Sequence, residues 1–187
     1  MKLKHIIFSL LSIQLTVLNA RSMELGDAII GGTGCYGSTQ LRLSEDGRLT
    51  LPIRARINKK ADVAFDRKSC NIRIPVTGVP NEKLQLLDVA QVVRVVGYVG
   101  ADIKSTLNVS LVGVRTSDLI LAVKAIENNV SVVEVVRSEN AKVLAESVCG
   151  KDTMLTANVN ILATGEARAF ASTGATEVTL RVVNCDN

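Results

Sequence analysis

Residues 31–39 read GGTGCYGST, and here the chain comes nearest to a motif that does chemistry. Gly32, Gly34 and Gly37 reproduce the spacing G-x-G-x-x-G, the turn that brings a dinucleotide pyrophosphate against the amides of a helix N-terminus. That chemistry needs a helix directly after the third glycine. The residues that follow, STQLRLSEDGRLTLPI, alternate instead and then turn at Asp46-Gly47. The phosphate-loop spacing fails too, because Ser38 stands where a lysine is required. Cys35 lies inside the turn, so the glycines are read as backbone freedom and close approach beside a bridged cysteine.

Other reactive residues are few. The one histidine, His5, falls in an N-terminal leader described below. Without it the chain has no imidazole, which removes Ser-His-Asp and Cys-His catalysis and histidine-containing zinc sites. The four cysteines, Cys35, Cys70, Cys149 and Cys185, are widely spaced and form no C-x-x-C pair. An even count behind a secretory leader reads as two disulfides. Three connectivities are open. Pairing sequence neighbours, Cys35 with Cys70 and Cys149 with Cys185, is favoured because it staples each end of one domain.

The remaining candidates are charges. Arg54, Arg56, Lys59, Lys60, Arg67 and Lys68 form the densest basic region, a candidate surface for anionic glycans or lipid headgroups. The competing reading is a solvated strand face with an exposed loop. Glu45 and Asp46 are adjacent acids, as a glycosidase would need in space, but they sit in a turn signal. Asn108-Val-Ser110 and Asn129-Val-Ser131 match glycosylation sequons within apolar runs. No cofactor motif survives this reading, and no metal ligand set is expected.

The elements that would carry these residues are legible in outline. Residues 1–20, MKLKHIIFSLLSIQLTVLNA, have a basic start at Lys2 and Lys4 and an apolar run from Ile6 to Leu18. That is a secretory signal peptide, too short for a comfortable membrane span. Cleavage after Ala20 is expected, with Ala20-Arg21-Ser22 as a second small-x-small site. Losing Lys2 and Lys4 reduces the 22 basic residues to 20 against 18 acids. The mature charge is then about +2, without the footprint of a nucleic-acid binder. No later stretch is long and apolar enough to span a bilayer.

Period two dominates the rest. In RLTLPIRARI the apolar set is Leu49, Leu51, Ile53, Ala55 and Ile57, with Arg48, Thr50, Pro52, Arg54 and Arg56 between them. CNIRIPV, TANVNIL and EVTLRVV alternate in the same way. Such alternation puts one face on a core and one in water. The valine-rich middle, including LLDVAQVVRVVGYVG and NVSVVEVV, reads as longer strands of a central sheet. DLILAVKAIEN has the length of a short helix but no clear cap or helical spacing. Turn signals at Asp46-Gly47, residues 77–80, Asn128-Asn129, residues 149–152 and residues 172–174 separate the runs. The expectation is an all-β, disulfide-stapled antiparallel sandwich, Ig-like or jelly-roll-like, of roughly nine to eleven strands, in one domain over 25–187.

Four cysteine blocks, GGTGCYGSTQLRLSEDGRLTL, DRKSCNIRIPV, ESVCG and VNCDN, carry a resemblance. Together they resemble the secreted proteins catalogued as domain of unknown function 4360, over about residues 30–187. The chain carries fewer aromatics than that family, as a distant member would. The resemblance implies secretion and a β-rich disulfide domain, and it implies no reaction and no catalytic residues. The expected role is therefore that of a secreted or periplasmic, non-enzymatic protein acting by surface recognition or in an envelope. Its partner would be a cell-surface glycan or an envelope protein. A glycan-binding module is the alternative, weakened by the absence of Trp, and a carboxylate-dependent hydrolase is the third reading.

Overall fold

The computed structural model of the chain describes residues 23–37, 40–111, 114–138 and 142–185. The leader over residues 1–20 and the position of Ser38 lie outside them. Every regular element among the described residues is a strand. In chain order they are β1 (Glu24–Leu25), β2 (Ile29–Gly31), β3 (Arg42–Leu43), β4 (Arg48–Leu51), β5 (Arg56–Lys59), β6 (Phe65–Thr77) and β7 (Glu82–Gly97). Then follow β8 (Ala101–Leu111), β9 (Val114–Arg115), β10 (Leu119–Lys124), β11 (Val130–Arg137), β12 (Ala145–Glu146), β13 (Thr153–Gly165) and β14 (Ala169–Asn184). The segment DLILAVKAIEN, with helical length, supplies strand β10. Its alternation of Leu119, Leu121 and Val123 against Ile120, Ala122 and Lys124 suits a sheet with one buried face.

Two antiparallel sheets result. The first runs β1-β6-β13-β8-β10, with β2 beside β6 and β9 beside β8. The second runs β11-β7-β14-β4-β3, with β12 beside β7 and β5 beside β14. β4 and β5 are two halves of the alternating run 48–59. The ladder breaks between them at Pro52, which has no N–H to donate. With that run counted once, β4/β5 pair with β14, β6 with β13, β7 with β11 and β8 with β10, and across these pairs β7 joins β14 and β8 joins β13. This is a long antiparallel ribbon folded back at the β8–β10 connection and then rolled, so that successive strands fall into opposite sheets. The sandwich is thus of the jelly-roll kind.

The core lies between the sheets and follows the period-two pattern. Leu49, Leu51, Ile53, Ala55 and Ile57 are all buried, as are Cys70, Ile72, Ile74 and Val76 opposite. β13 contributes Leu155, Ala157, Val159, Ile161 and Ala163. β14 carries irregularities at Thr173/Thr176 and Thr179/Leu180 against β7, where an extra residue locally opens the ladder. Side-chain hydrogen bonds gather there. The Ala55 amide donates to Thr173 Oγ1 at 2.9 Å, and Gln91 Nε2 donates to Thr176 Oγ1 at 2.8 Å.

The valine-rich middle departs from expectation. β7 is central, but β11 is an edge strand, with Val133 and Val135 exposed. The middle strands of the two sheets are β13 and β14 instead. Valine density measures fit to a pleated surface, not position within a sheet. Glu134 is on the other side of β11 from Val133 and Val135 and lines a gap of about 740 Å³ between the β10 and β11 edges. An inward charge on an edge strand is a device against pairing with another chain.

Both disulfides join sequence neighbours, Cys35 to Cys70 and Cys149 to Cys185. The glycine turn is built around the first. Gly32 has φ 138°, and a Cβ there would lie 2.2 Å from the Ser69 carbonyl oxygen. A Cβ on Gly34 would meet the Lys68 side chain at 2.6 Å. Only glycine lets this segment lie so close to β6, which sets Cys35 within bonding reach of Cys70. Among the described residues no helix follows, and the chain runs on into strand β3, so the turn lacks the setting that pyrophosphate binding needs.

Candidate functional site

The outer face of the first sheet gathers polar side chains from strands far apart in sequence. On β13 the outward residues are Met154, Thr156, Asn158, Asn160, Leu162 and Thr164, because Leu155 through Ala163 at alternate positions take the core. Register then decides their neighbours. Asn158 lies opposite Asn71 of β6 on one side and Asn108 of β8 on the other. The next row is Ser69, Asn160 and Thr106, and the one after it Arg67, Leu162 and Lys104. Neighbouring strands lie about 4.8 Å apart and same-face rows about 6.6–6.8 Å apart, so these amides form a regular grid.

The grid is held but not saturated. Asn108 Nδ2 donates to the Thr116 carbonyl oxygen at 2.9 Å and to Asp118 Oδ1 at 3.1 Å, which ties it to the turn before β10. Arg67 Nη2 donates to Asn160 Oδ1 at 3.4 Å, which leaves the Asn160 amide nitrogen outward. Ser110 and Thr156 share a 2.6 Å hydrogen bond one row away. Among the described residues, the Asn71 and Asn158 amides have no side-chain partner. Each offers two donors and one acceptor oxygen to solvent from a rigid strand.

Two shallow hollows of about 370 Å³ each lie on the same face. One is lined by Phe65, Arg67, Lys104, Thr106, Asn160 and Leu162. The other shares Lys104 and Leu162 and extends to Asp102, Ala122, Lys124 and Thr164. Leu162 is 36 % exposed and Phe65 66 %, so apolar surface stands beside the amides. The chemistry on offer is hydrogen bonding with some apolar contact. Among the described residues, no cluster of three metal-ligating side chains exists.

The six basic residues read from the sequence do not form one surface. Lys59 is buried, 1 % exposed, with Nζ donating to the Ala167 and Lys60 carbonyl oxygens at 2.8 and 3.1 Å. It leaves the candidate surface because it continues the inward parity of Ile53, Ala55 and Ile57. Arg54 and Arg56 project from the outer face of the second sheet, and Lys60 is exposed after β5. Arg67 belongs to the first sheet's polar grid. Lys68 pairs with Asp66 at 3.3 Å beside Gly34. Glu45 and Asp46 stay in the β3–β4 hairpin. There Asp46 accepts from Ser44 Oγ and pairs with Arg48 at 3.1 Å. The Ser44 hydroxyl bond, with help from Arg48, holds the Asp46 carboxyl below its ordinary value. Of the sequon asparagines, Asn108 lies in the grid, and Asn129 Oδ1 accepts from the Val99 amide at 3.0 Å.

Sequence reasoning missed Asn71, Asn158, Asn160 and Thr106 as a group. Each stands at a polar position of an alternating strand, which was visible. Their assembly depends on pairing between β6, β13 and β8, which was not.

No family model matches the chain, and no curated protein matches it. Among solved structures it is similar to TmCBM61 in complex with beta-1,4-galactotriose, at 12% identity and a TM-score of 0.28, over 84% of this chain and 88% of that one. It is also similar to a family 11 carbohydrate-binding module from Clostridium thermocellum in complex with a beta-1,3-1,4-mixed-linked tetrasaccharide. That likeness has 5% identity and a TM-score of 0.25, over 84% and 87% of the two chains. At such TM-scores no residue of this chain is matched to a binding residue of either.

Proposed function

We propose that this protein is a non-catalytic recognition domain that binds a polyhydroxylated glycan along the outer face of its first sheet. The observation that carries the reading is the row Asn71–Asn158–Asn108, with two of its three amides unpartnered. A planar amide both donates and accepts, which matches the paired donor and acceptor character of sugar hydroxyls. The strands fix the amides before a ligand arrives, so little ordering entropy opposes binding. Leu162 and Phe65 supply apolar contact for the C–H faces of a sugar ring in place of the missing tryptophan. Two disulfides support work in an oxidising compartment outside the cytoplasm.

The test is affinity electrophoresis and calorimetry against a panel of soluble neutral polysaccharides. At least one is expected to bind, and Asn158→Ala with Asn160→Ala is expected to weaken it about tenfold or more, at roughly 0.5–1.5 kcal/mol per lost hydrogen bond. Binding to none of the panel, or equal binding by the double variant, overturns the reading.

A further inference from the structure

The opposite face of the sandwich has a different character. On β14, Ser172 points outward between Arg94 of β7 on one side and Arg56 of β5 on the other, all three in register. Antiparallel partners lie about 4.5–5.5 Å apart at Cα, so the two arginines rise from one face with a single serine between their strands. Both are exposed. Among the described residues, neither has an ion-pair partner.

Three further features single this place out. Arg56 lies over the Tyr36 ring at 4.5 Å from its centroid, and the Tyr36 hydroxyl donates to the Thr173 carbonyl oxygen at 2.8 Å. The ring therefore sits fixed and steadies the guanidinium. Arg54, on the same face two residues before Arg56, has a buried Nε with no hydrogen-bond partner. Arg94 stands among apolar neighbours, with Val133 opposite it and Val92 two positions along its own strand. Of the acids on this face, Glu177 lies opposite Ala90, four residues from Arg94 along β7 and hence about 13 Å away, while Asp88 of β7 and Glu146 of β12 lie farther along and are paired with Arg137 and Lys83. Three cations without an ion-pair partner among the described residues make an electropositive field that a planar oxyanion fits.

We propose that Arg54, Arg56 and Arg94, with Ser172 and Tyr36, form a second binding site that takes a sulfate-type oxyanion carried on a polysaccharide. It is separate from the neutral-glycan face, on the other sheet. Arg56 and Arg94 supply paired N–H donors to the oxyanion, and the Ser172 hydroxyl donates from below. Arg54, on the same face, adds positive charge beside them.

Calorimetry with dextran sulfate tests this, with neutral dextran as the blank. The wild-type protein is expected to bind dextran sulfate, more weakly as sodium chloride rises. Arg56→Gln with Arg94→Gln should weaken binding about tenfold or more, the size expected from losing charge-assisted hydrogen bonds. Arg42→Gln with Lys151→Gln removes the same charge from other exposed positions and should change it less than about twofold. Arg94→Gln alone touches no described partner and keeps the test open should the Tyr36 contact matter for folding. Competition with inorganic sulfate at matched ionic strength identifies the source. Displacement assigns recognition to the oxyanion itself, and persistence assigns it to the polymer-borne ester. Absence of dextran sulfate binding, or equal loss in both double variants, overturns the proposal.

Discussion

Lys59 donates from Nζ to the Ala167 carbonyl oxygen at 2.8 Å while being 1 % exposed, and so ties the end of β5 to the connection between β13 and β14. Its second acceptor is the Lys60 carbonyl oxygen. Replacing it by Met keeps the stem and leaves both carbonyls without their buried donor. Lys59→Met is expected to cost about 1–3 kcal/mol in urea unfolding. An unchanged midpoint would show that water replaces the ammonium.

The disulfides close loops of 35 and 36 residues, so chain entropy gives each about 3–4 kcal/mol. Removing them pairwise should separate their roles. Cys35→Ser with Cys70→Ser is expected to cost more than Cys149→Ser with Cys185→Ser, because Cys70 is buried in the core and a serine hydroxyl there lacks a partner. Denaturant midpoints of the two double variants check the order.

The glycine turn gives a prediction with no ligand in it. Gly32→Ala places a Cβ against the Ser69 carbonyl at a backbone angle that L-residues rarely adopt. It should destabilise the fold by more than about 1 kcal/mol. Gly31→Ala, next to it, meets only Asn71 Oδ1 at 3.9 Å and should be close to neutral. Thermal melts of the two variants decide the matter.

Acid sensitivity should follow Glu146. The Lys83 ammonium first, at 2.8 Å, and then the Gln85 amide hold its carboxyl below the ordinary value of 4.5. Arg181 in turn donates to Gln85 Oε1 at 2.7 and 3.1 Å. A lowered folded-state value means stability that is present above about pH 4.5 and lost as pH falls through the folded value. Urea midpoints measured from neutral pH down to about pH 3 should fall less steeply for Glu146→Gln than for the wild type. Parallel curves would place the acid response elsewhere.

Much of the fold could be read from particular residues. Alternation from Leu49 to Ile57 gave a buried face that the structure keeps even across the break at Pro52, and the hairpin at Asp46-Gly47 is where the turn signal put it. The cysteine pairing is the neighbour pairing that was favoured among three open connectivities. Lys59 was legible as well, since the same parity that buries Ile57 carries on to it, but charge was allowed to outweigh position. Of the two faces now proposed to bind ligands, Arg54 and Arg56 stood in the basic run read from the sequence, but the residues that join them were not legible. Asn71, Asn108 and Asn158 are ordinary polar residues in three separate strands, and Arg94 sits in a valine run that looks like core. Only inter-strand register makes a row of the first three or sets Arg94 across from Ser172, and register between distant strands leaves no local trace.

The rolled ribbon also dictates a schedule. β14 and β13 are the middle strands of their sheets, and β4 through β7 find their main partners in β11, β13 and β14 rather than in one another. A nascent chain elongated only as far as residue 150 would hold neither middle strand, and its apolar flanks would face water. Assembly must therefore wait for the far end of the polypeptide. Until then its unpaired strands expose apolar faces, and the chain depends on being shielded from its neighbours.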